Sequence, residues 1–264
     1  MNEQGPSRVT IIRLTNVSVD IPVYSVGSSS IRKVVLGRAI GGRFGQAAGH
    51  VIVKALKDIS FEAQNGDRIG LVGNNGSGKT TLLRVLADVY APTSGTVEVN
   101  GQVSPMFDAT LGMNHDATGL ENIRICGMLW GLTREELDAS LDDITEFSEL
   151  GDYLKMPVRT YSAGMQLRLA FAIATLRKPD IFLLDEIIGV GDANFFQKAF
   201  ARLEGLVRRS RILFVASHTK PIIQRICNKA IWLHNGTLVA YGEVGEVLEA
   251  YSSGDARLAQ VAAA

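Results

Sequence analysis

An apolar stretch, Arg68-Ile69-Gly70-Leu71-Val72, runs straight into Gly73-Asn74-Asn75-Gly76-Ser77-Gly78-Lys79-Thr80. Leu82, Leu83, Val85 and Leu86 then follow at helical spacing. The middle segment satisfies the pattern G-x-x-x-x-G-K-[ST] in full, between a buried strand and a helix, which is the context that pattern requires. Glycines let the backbone curl until successive N–H groups converge on phosphate oxygens, at the positive end of the helix that follows. Lys79 is then placed to neutralise the β and γ phosphates and Thr80 to offer a hydroxyl to Mg²⁺, with Thr81 next to it among the nucleotide-binding residues. Taken alone, the pattern implies that a nucleoside triphosphate such as ATP binds. A chance glycine-rich turn is the competing reading, and the flanking strand and helix argue against it.

Composition narrows the setting without naming it. With 264 residues the chain can bury a substantial core, and 46% hydrophobic with 20% charged residues is a globular profile. Lys+Arg and Asp+Glu both number 27, a formal net charge of zero, which speaks against a dedicated nucleic-acid binder. The two cysteines, Cys126 and Cys227, lie far apart without metal or redox spacing, so we read them as unreactive thiols of a reducing compartment. No apolar run approaches the roughly 18 residues of a membrane span. Nor does the N-terminus read as a secretory signal. The expectation is a cytosolic protein whose link to a membrane, if any, passes through a partner or a surface helix.

Along the chain, Val9 to Asp20 alternates as a strand. Residues 25–50 break that pattern with Gly27-Ser28-Ser29-Ser30 and Gly41-Gly42 around a segment, 31–40, with Ile31, Val34, Val35 and Ala39 at helical spacing among Arg32, Lys33 and Arg38. Such a basic amphipathic helix suits an anionic membrane surface or a groove on a membrane partner, and equally an ordinary surface helix. Ala55 to Ala63 reads as a strand, Thr96 to Val99 as another closed by an Asn100-Gly101 hairpin signal, and 119–178 as mostly helical. Ile181 to Leu184 is an apolar strand, Phe195 to Arg209 a helix, Arg211 to Ala216 a strand, and Ala230 to Ala240 a hairpin turning at Asn235-Gly236. Strands alternating with helices around a glycine-rich turn indicate an α/β fold with a mainly parallel core. That core, with its β subdomain, is assigned to 9–106 and 180–250, and the helical insertion to 107–178.

Two adjacent carboxylates, Asp185-Glu186, follow the strand Ile181 to Leu184 at its C-terminal edge, where α/β proteins place ligands. Asp185 is placed to hold Mg²⁺ and Glu186 to accept a proton from an attacking water. Tyr161-Ser162-Ala163-Gly164-Met165 opens the apolar helix Leu167 to Leu176 shortly before this pair. Here the chain resembles the ATP-binding-cassette family, whose signature is usually written Leu-Ser-Gly-Gly-Gln. The departures are Tyr at the first position, Ala for the first Gly and Met for Gln, with Gln166 next.

The resemblance implies a phosphate-loop ATPase fold with an antiparallel β subdomain and a helical insertion. It also implies a homodimer in which Ser162 and Gly164 of one copy reach the nucleotide held by the other. His218, after the strand Leu213 to Ala216, takes the position of the family's switch histidine, and Gly191-Asp192 fits its D-loop. The usual glutamine of the loop entering the helical insertion is absent. Asp108 stands in that register, able to ligate Mg²⁺ but offering no amide. Tyr24 is the aromatic placed to stack on adenine, with a core tyrosine as the alternative.

The departures themselves are similar to the ATPases of bacterial polysaccharide exporters, in the signature, in Val190-Gly191-Asp192, in Thr118-Gly119-Leu120-Glu121-Asn122-Ile123 and in Leu111-Gly112-Met113. That likeness implies a peripheral subunit on the cytoplasmic face of the inner membrane, paired with a permease dimer and driving a lipid-linked glycan such as O-antigen, teichoic acid or galactan. The chain ends near the close of the nucleotide-binding domain, which reads as lacking the carbohydrate-binding β domain some members carry. A DNA-repair or translation ATPase would bring paired cassettes or basic surfaces. A catalytically dead module would lack one of Lys79, Asp185, Glu186 and His218.

Overall fold

The structure is a computed structural model that describes residues 10–23, 44–47, 50–107, 112–177, 179–185, 193–217 and 219–255. The described residues cluster into two units, one from residues 1–105, 181–186 and 211–264, the other from 106–180 and 187–210.

The first unit holds two sheets. Alternating β-branched residues build β1 (Ile11–Val23) and β3 (His50–Gln64), which pair antiparallel; β2 (Phe44–Ala47) adds to β3 and β5 (Ser94–Asn100) to β1, giving the order β2-β3-β1-β5. The second sheet runs β10-β9-β4-β8-β7-β6, formed by β4 (Arg68–Val72), β6 (Val103–Met106), β7 (Ile181–Asp185), β8 (Ile212–Ala216), β9 (Lys229–His234) and β10 (Thr237–Glu243). In it β4 is parallel to both β8 and β9, and β7 is parallel to β8, as the continuous apolar runs of these strands require. Ile69, Leu71, Ile181, Leu183 and all of Ile212 to Val215 are fully buried. Helix α1 (Lys79–Leu86) lays Leu82, Leu83, Val85 and Leu86 into this core, and α7 (Lys220–Ile226) and α8 (Val244–Ser253) complete the unit.

Register decides where the site falls. Leu71 of β4 and Asp185 of β7 both stand opposite Ala216 of β8. The chain therefore leaves all three parallel strands at one sheet edge, which brings Gly73, Asp185 and Ser217 to the same side although they are far apart in sequence.

One turn departs from the sequence reading. Asn100-Gly101 is not a hairpin: β5 belongs to the first sheet, pairing Asn100 with Ile11, while β6 belongs to the second. A type I′ turn needs positive φ at both residues. Gly101 has φ 135 and Asn100 is not in the positive region, so the pair is a crossing between sheets. Asn235-Gly236, with φ 49 and 79, does make the β9–β10 hairpin.

The second unit is helical: α2 (Gly119–Leu129), α3 (Arg134–Ala139), α4 (Leu141–Ser148), α5 (Ala163–Ala174) and α6 (Ala193–Arg209), with 3₁₀ turns at Gly151–Lys155 and Val158–Thr160. Phe147, Phe171 and Phe195 form its aromatic centre, with ring centroids 5.3 to 6.5 Å apart. The Arg202 guanidinium lies 4.4 Å over the Phe147 ring while pairing with Asp143 of α4, and Arg168 of α5 lies 4.7 Å over Phe195. No helix among the described residues is long and apolar enough to cross a membrane.

Candidate active site

The loop from Gly73 to Gly78 is shaped by glycines that nothing else can replace. Gly73 has φ 145, and a Cβ there would strike the Leu233 carbonyl and come within 2.7 Å of the Ser77 hydroxyl. Gly78, the N-cap of α1, has φ 113 and would press a Cβ to 3.0 Å from the Ala55 carbonyl. The β9–β10 hairpin braces the loop from behind, since Gly236 N–H donates to the Ser77 carbonyl at 2.8 Å and the Gly236 carbonyl accepts Lys57 N–H at 2.8 Å. No side chain caps the first turn of α1, the end at which a helix's N–H groups lack intrahelical acceptors.

Inside this curl Lys79 is nearly buried, at 8% exposure, and its Nζ donates to the Gly73 carbonyl at 2.7 Å and the Asn74 carbonyl at 3.2 Å. A buried ammonium is tolerated here because its own loop supplies the acceptors. The Ser77 hydroxyl is buried and has no hydrogen-bond partner among the described residues. A cleft of about 400 Å³ opens over the loop, bordered by residues 75–81, by Ile21, Val53 and Ala55, and by Asp185. The half-buried Thr80 hydroxyl and Asp185 carboxylate share this cleft, a donor set of two oxygens that suits Mg²⁺, which binds through one or two protein ligands plus phosphate and water. Curled N–H groups, an orphaned hydroxyl and a buried cation thus form a cradle that fits a polyphosphate and its metal.

In the second unit, Ser162 is the N-cap of α5, extended at φ −67 and ψ 160, and its Oγ accepts Met165 N–H at 3.3 Å. Ser162 and Ala163 are exposed, and Gly164 is half-buried with nothing nearer than 3.9 Å to where a Cβ would sit. The glycine answers no crowding among the described residues, so it leaves the helix start open to an approach from outside. Ala163 and Met165, the departures from the usual signature, leave the cap and its outward N–H groups intact.

Of the residues singled out in the sequence, Asn75, Gly76, Ser77, Gly78, Lys79, Thr80, Thr81 and Asp185 come together in one cleft, with Gly73 and Asn74 behind them as acceptors for Lys79. Tyr24, Asp108, Glu186, Gly191-Asp192, His218 and the segment 31–40 lie outside the described residues. Ser217, next to His218, ends β8 at the site edge, and its Oγ accepts Thr219 N–H at 3.1 Å. The sequence reading missed the apolar wall of Ile21, Val53 and Ala55, although strand alternation would have aimed one face of β1 and β3 somewhere. It also missed Gly236, which it read as a turn with no hint that its backbone closes the phosphate loop.

A glycine loop between a buried strand and a helix, an interior lysine and a carboxylate at the same sheet edge define a nucleoside-triphosphate-binding protein of the phosphate-loop class. Comparison with known proteins narrows this. A family model described as ABC transporter matches residues 56–189. The chain is 40% identical over 241 residues to the O-antigen export system ATP-binding protein RfbE of Yersinia enterocolitica, covering 91% of this chain and 100% of that one. It therefore belongs to the ABC transporter ATPase family.

The O-antigen export protein RfbB of Myxococcus xanthus is 40% identical over 200 residues, and the teichoic acids export protein TagH of Enterococcus faecalis 40% identical over 197. This chain spans 46% and 44% of the lengths of those two relatives. Among solved structures, an ATP-binding subunit of an ABC transporter superposes with a TM-score of 0.67 at 20% identity, covering 92% of this chain and 93% of that one. A dimeric ATP-binding cassette in a post-hydrolysis state with ADP and Pi superposes at 0.64 and 20%, covering 88% and 98%. These two show the fold.

Proposed function

We propose that the chain is the ATP-hydrolysing subunit of an exporter that moves a lipid-linked polysaccharide across the bacterial inner membrane. It works as a homodimer on a separate permease dimer at the cytoplasmic face. The observation that carries the ATPase reading is the meeting of Lys79, Thr80, the orphaned Ser77 hydroxyl and Asp185 in one cleft. The glycan reading is supported by 40% identity over the full length of an O-antigen export ATP-binding protein.

On this reading the first-turn N–H groups of α1 and the Lys79 ammonium bind the β and γ phosphates, and the Ser77 hydroxyl acquires its missing partner. Thr80 and Asp185 hold Mg²⁺, joined by Asp108; the metal, when bound, neutralises charge building on the transferred phosphoryl group. Glu186, one residue beyond Asp185, takes a proton from the attacking water, and His218, one residue beyond Ser217, orients that water at the γ-phosphate. Ile21 and Val53 form an apolar wall for the base, with Tyr24 stacking on adenine. Ser162 and the Gly164 N–H of one copy close on the nucleotide of the other, so hydrolysis requires the dimer, and its opening and closing drive the permease. The basic segment 31–40 docks on the membrane partner.

The test is Glu186→Gln. It removes the base while keeping size and hydrogen bonding. ATP binding should persist, turnover should fall by about 10²-fold or more, and an ATP-bound dimer should accumulate on size exclusion. Turnover at the wild-type rate sinks the assignment.

A further inference from the structure

The tyrosine at the first signature position is tied into a strap that the ATPase reading does not use. Tyr161 is 6% exposed, and its hydroxyl donates to the Tyr153 carbonyl at 2.6 Å. The Gly119 N–H donates to the Met156 carbonyl at 3.2 Å. A Cβ on Gly119 would fall on that hydroxyl and come within 3.0 Å of the Leu154 Cα. Gly119 has no positive φ and opens a helix, where alanine is ordinarily preferred. Its glycine is explained by the room Tyr161 and Leu154 take.

The neighbouring residues extend the strap. Thr118 caps α2 and exchanges a reciprocal capping box with Glu121. Asn122 is fully buried, its Oδ1 accepting Asn114 N–H at 2.7 Å and its Nδ2 donating to the Asn114 and Thr118 carbonyls at 2.8 and 2.9 Å. On the other side, Val158 N–H donates to the Ala117 carbonyl and Arg159 N–H to the His115 carbonyl, at 2.9 and 2.8 Å. Thr118 bridges Pro157, and Arg159 pairs with Asp116. The loop 114–118 is thereby laced to the segment 157–161, whose next residue is the Ser162 cap.

We propose that Tyr161 is a positioning residue whose hydroxyl, held on the Tyr153 carbonyl against Gly119, fixes the signature cap beside the laced loop 114–118, so that nucleotide engagement at Ser162 and displacement of that loop are one motion. The inference rests on the export reading only in naming the permease as what that loop displaces. The latch itself needs only the ATPase. A buried hydroxyl held on a carbonyl resists sliding, whereas a leucine or phenylalanine side chain would pack without fixing direction.

The test uses the full chain with Tyr161→Phe, and with Gly119→Ala as an independent push on the same oxygen. Hydrogen exchange across 114–119 is read with and without the slowly hydrolysed analogue ATPγS, and ATPase activity with and without the membrane-reconstituted permease. In the wild type ATPγS should slow exchange across 114–119; in each variant that slowing should shrink by at least about threefold while the KM for ATP rises. Because the phenyl ring frees the space the hydroxyl held, adding Y161F to G119A should recover part of the stability that G119A loses. Equal ATPγS-dependent protection in wild type and Y161F overturns the latch, as does a G119A cost that Y161F leaves unchanged. A wild type that shows the protection but no stimulation by its permease supports the latch and fails the export reading, so the two ideas fall separately.

Discussion

The phosphate loop holds its shape mainly through its main chain, whereas the signature segment relies heavily on side chains. Gly73, Gly78 and Gly236 hold positive φ, with carbonyls where a Cβ would go, and Lys79 turns its ammonium on the loop's own carbonyls. Around the signature, by contrast, Asn122, Thr118, Glu121, Arg159 and Tyr161 do much of the holding, and a Cβ on Gly164 would meet nothing closer than the Ser162 hydroxyl at 3.9 Å. Backbone-built sites tolerate almost no substitution, because strain has nowhere to go. Side-chain-built ones tolerate change at the functional residues provided the supports remain. That is why Ala163 and Met165 can depart from the usual signature while every position of the phosphate loop conforms to its pattern.

Each unit carries one buried free cysteine, Cys227 in the first and Cys126 in the second, and these report on the two regions separately. The largest effect expected is from Gly73→Ala, which imposes a left-handed φ on a residue with a Cβ and drives it into the Leu233 carbonyl. Strain of about 1–3 kcal/mol should lower ATP affinity by about fivefold to 150-fold in calorimetric titration. Labelling of Cys126 should stay at the wild-type rate, and a rise would blur the distinction between the regions.

Asn122→Ala should come next. It leaves the Asn114 N–H and the carbonyls of the loop 114–118 without their buried partner, at a cost of about 1–3 kcal/mol. Cys126 stands one turn along the same helix, so its labelling should accelerate before that of Cys227; the reverse order would break the comparison.

The smallest effect is the pH dependence that Cys227 brings to the first unit. Burial pushes the Cys227 thiol up to about 12 from an ordinary 9.0, with Arg68 pulling partly back. The folded state thus keeps the proton that the unfolded chain releases first. Its contribution is complete below the ordinary thiol value and is lost as pH rises through the window from about 9 to about 12. Between pH 9 and 10 the wild type should lose about 1 kcal/mol more than Cys227→Ala in urea unfolding. An identical pH slope in the two proteins would show that the thiol is not held neutral.

How much of this was legible depends on what kind of bond does the work. The loop was readable because its geometry demands glycine and lysine at set spacings within one short segment. Asp185 was readable because an apolar run delivers it to a strand end. The wall formed by Ile21, Val53 and Ala55 was not, since valine, isoleucine and alanine in strands carry no mark of which faces meet a ligand. Thr118-Gly119-Leu120-Glu121-Asn122 could be noticed as a motif, but nothing local explains its glycine, because the group that needs the space is a tyrosine hydroxyl across a turn of the fold.

The two Asn-Gly pairs show where the line falls. The chain by itself determined that both would turn, since both offer residues that accept unusual backbone angles at the end of a β-branched run. Only the tertiary structure decided that Asn235-Gly236 folds β10 back on β9 and props the phosphate loop. It likewise decided that Asn100-Gly101 hands the chain from one sheet to the other. The physical reason is competition for edges: β1 and β7 offer β5 and β6 better partners than they offer each other, and a strand takes the register that buries its apolar face.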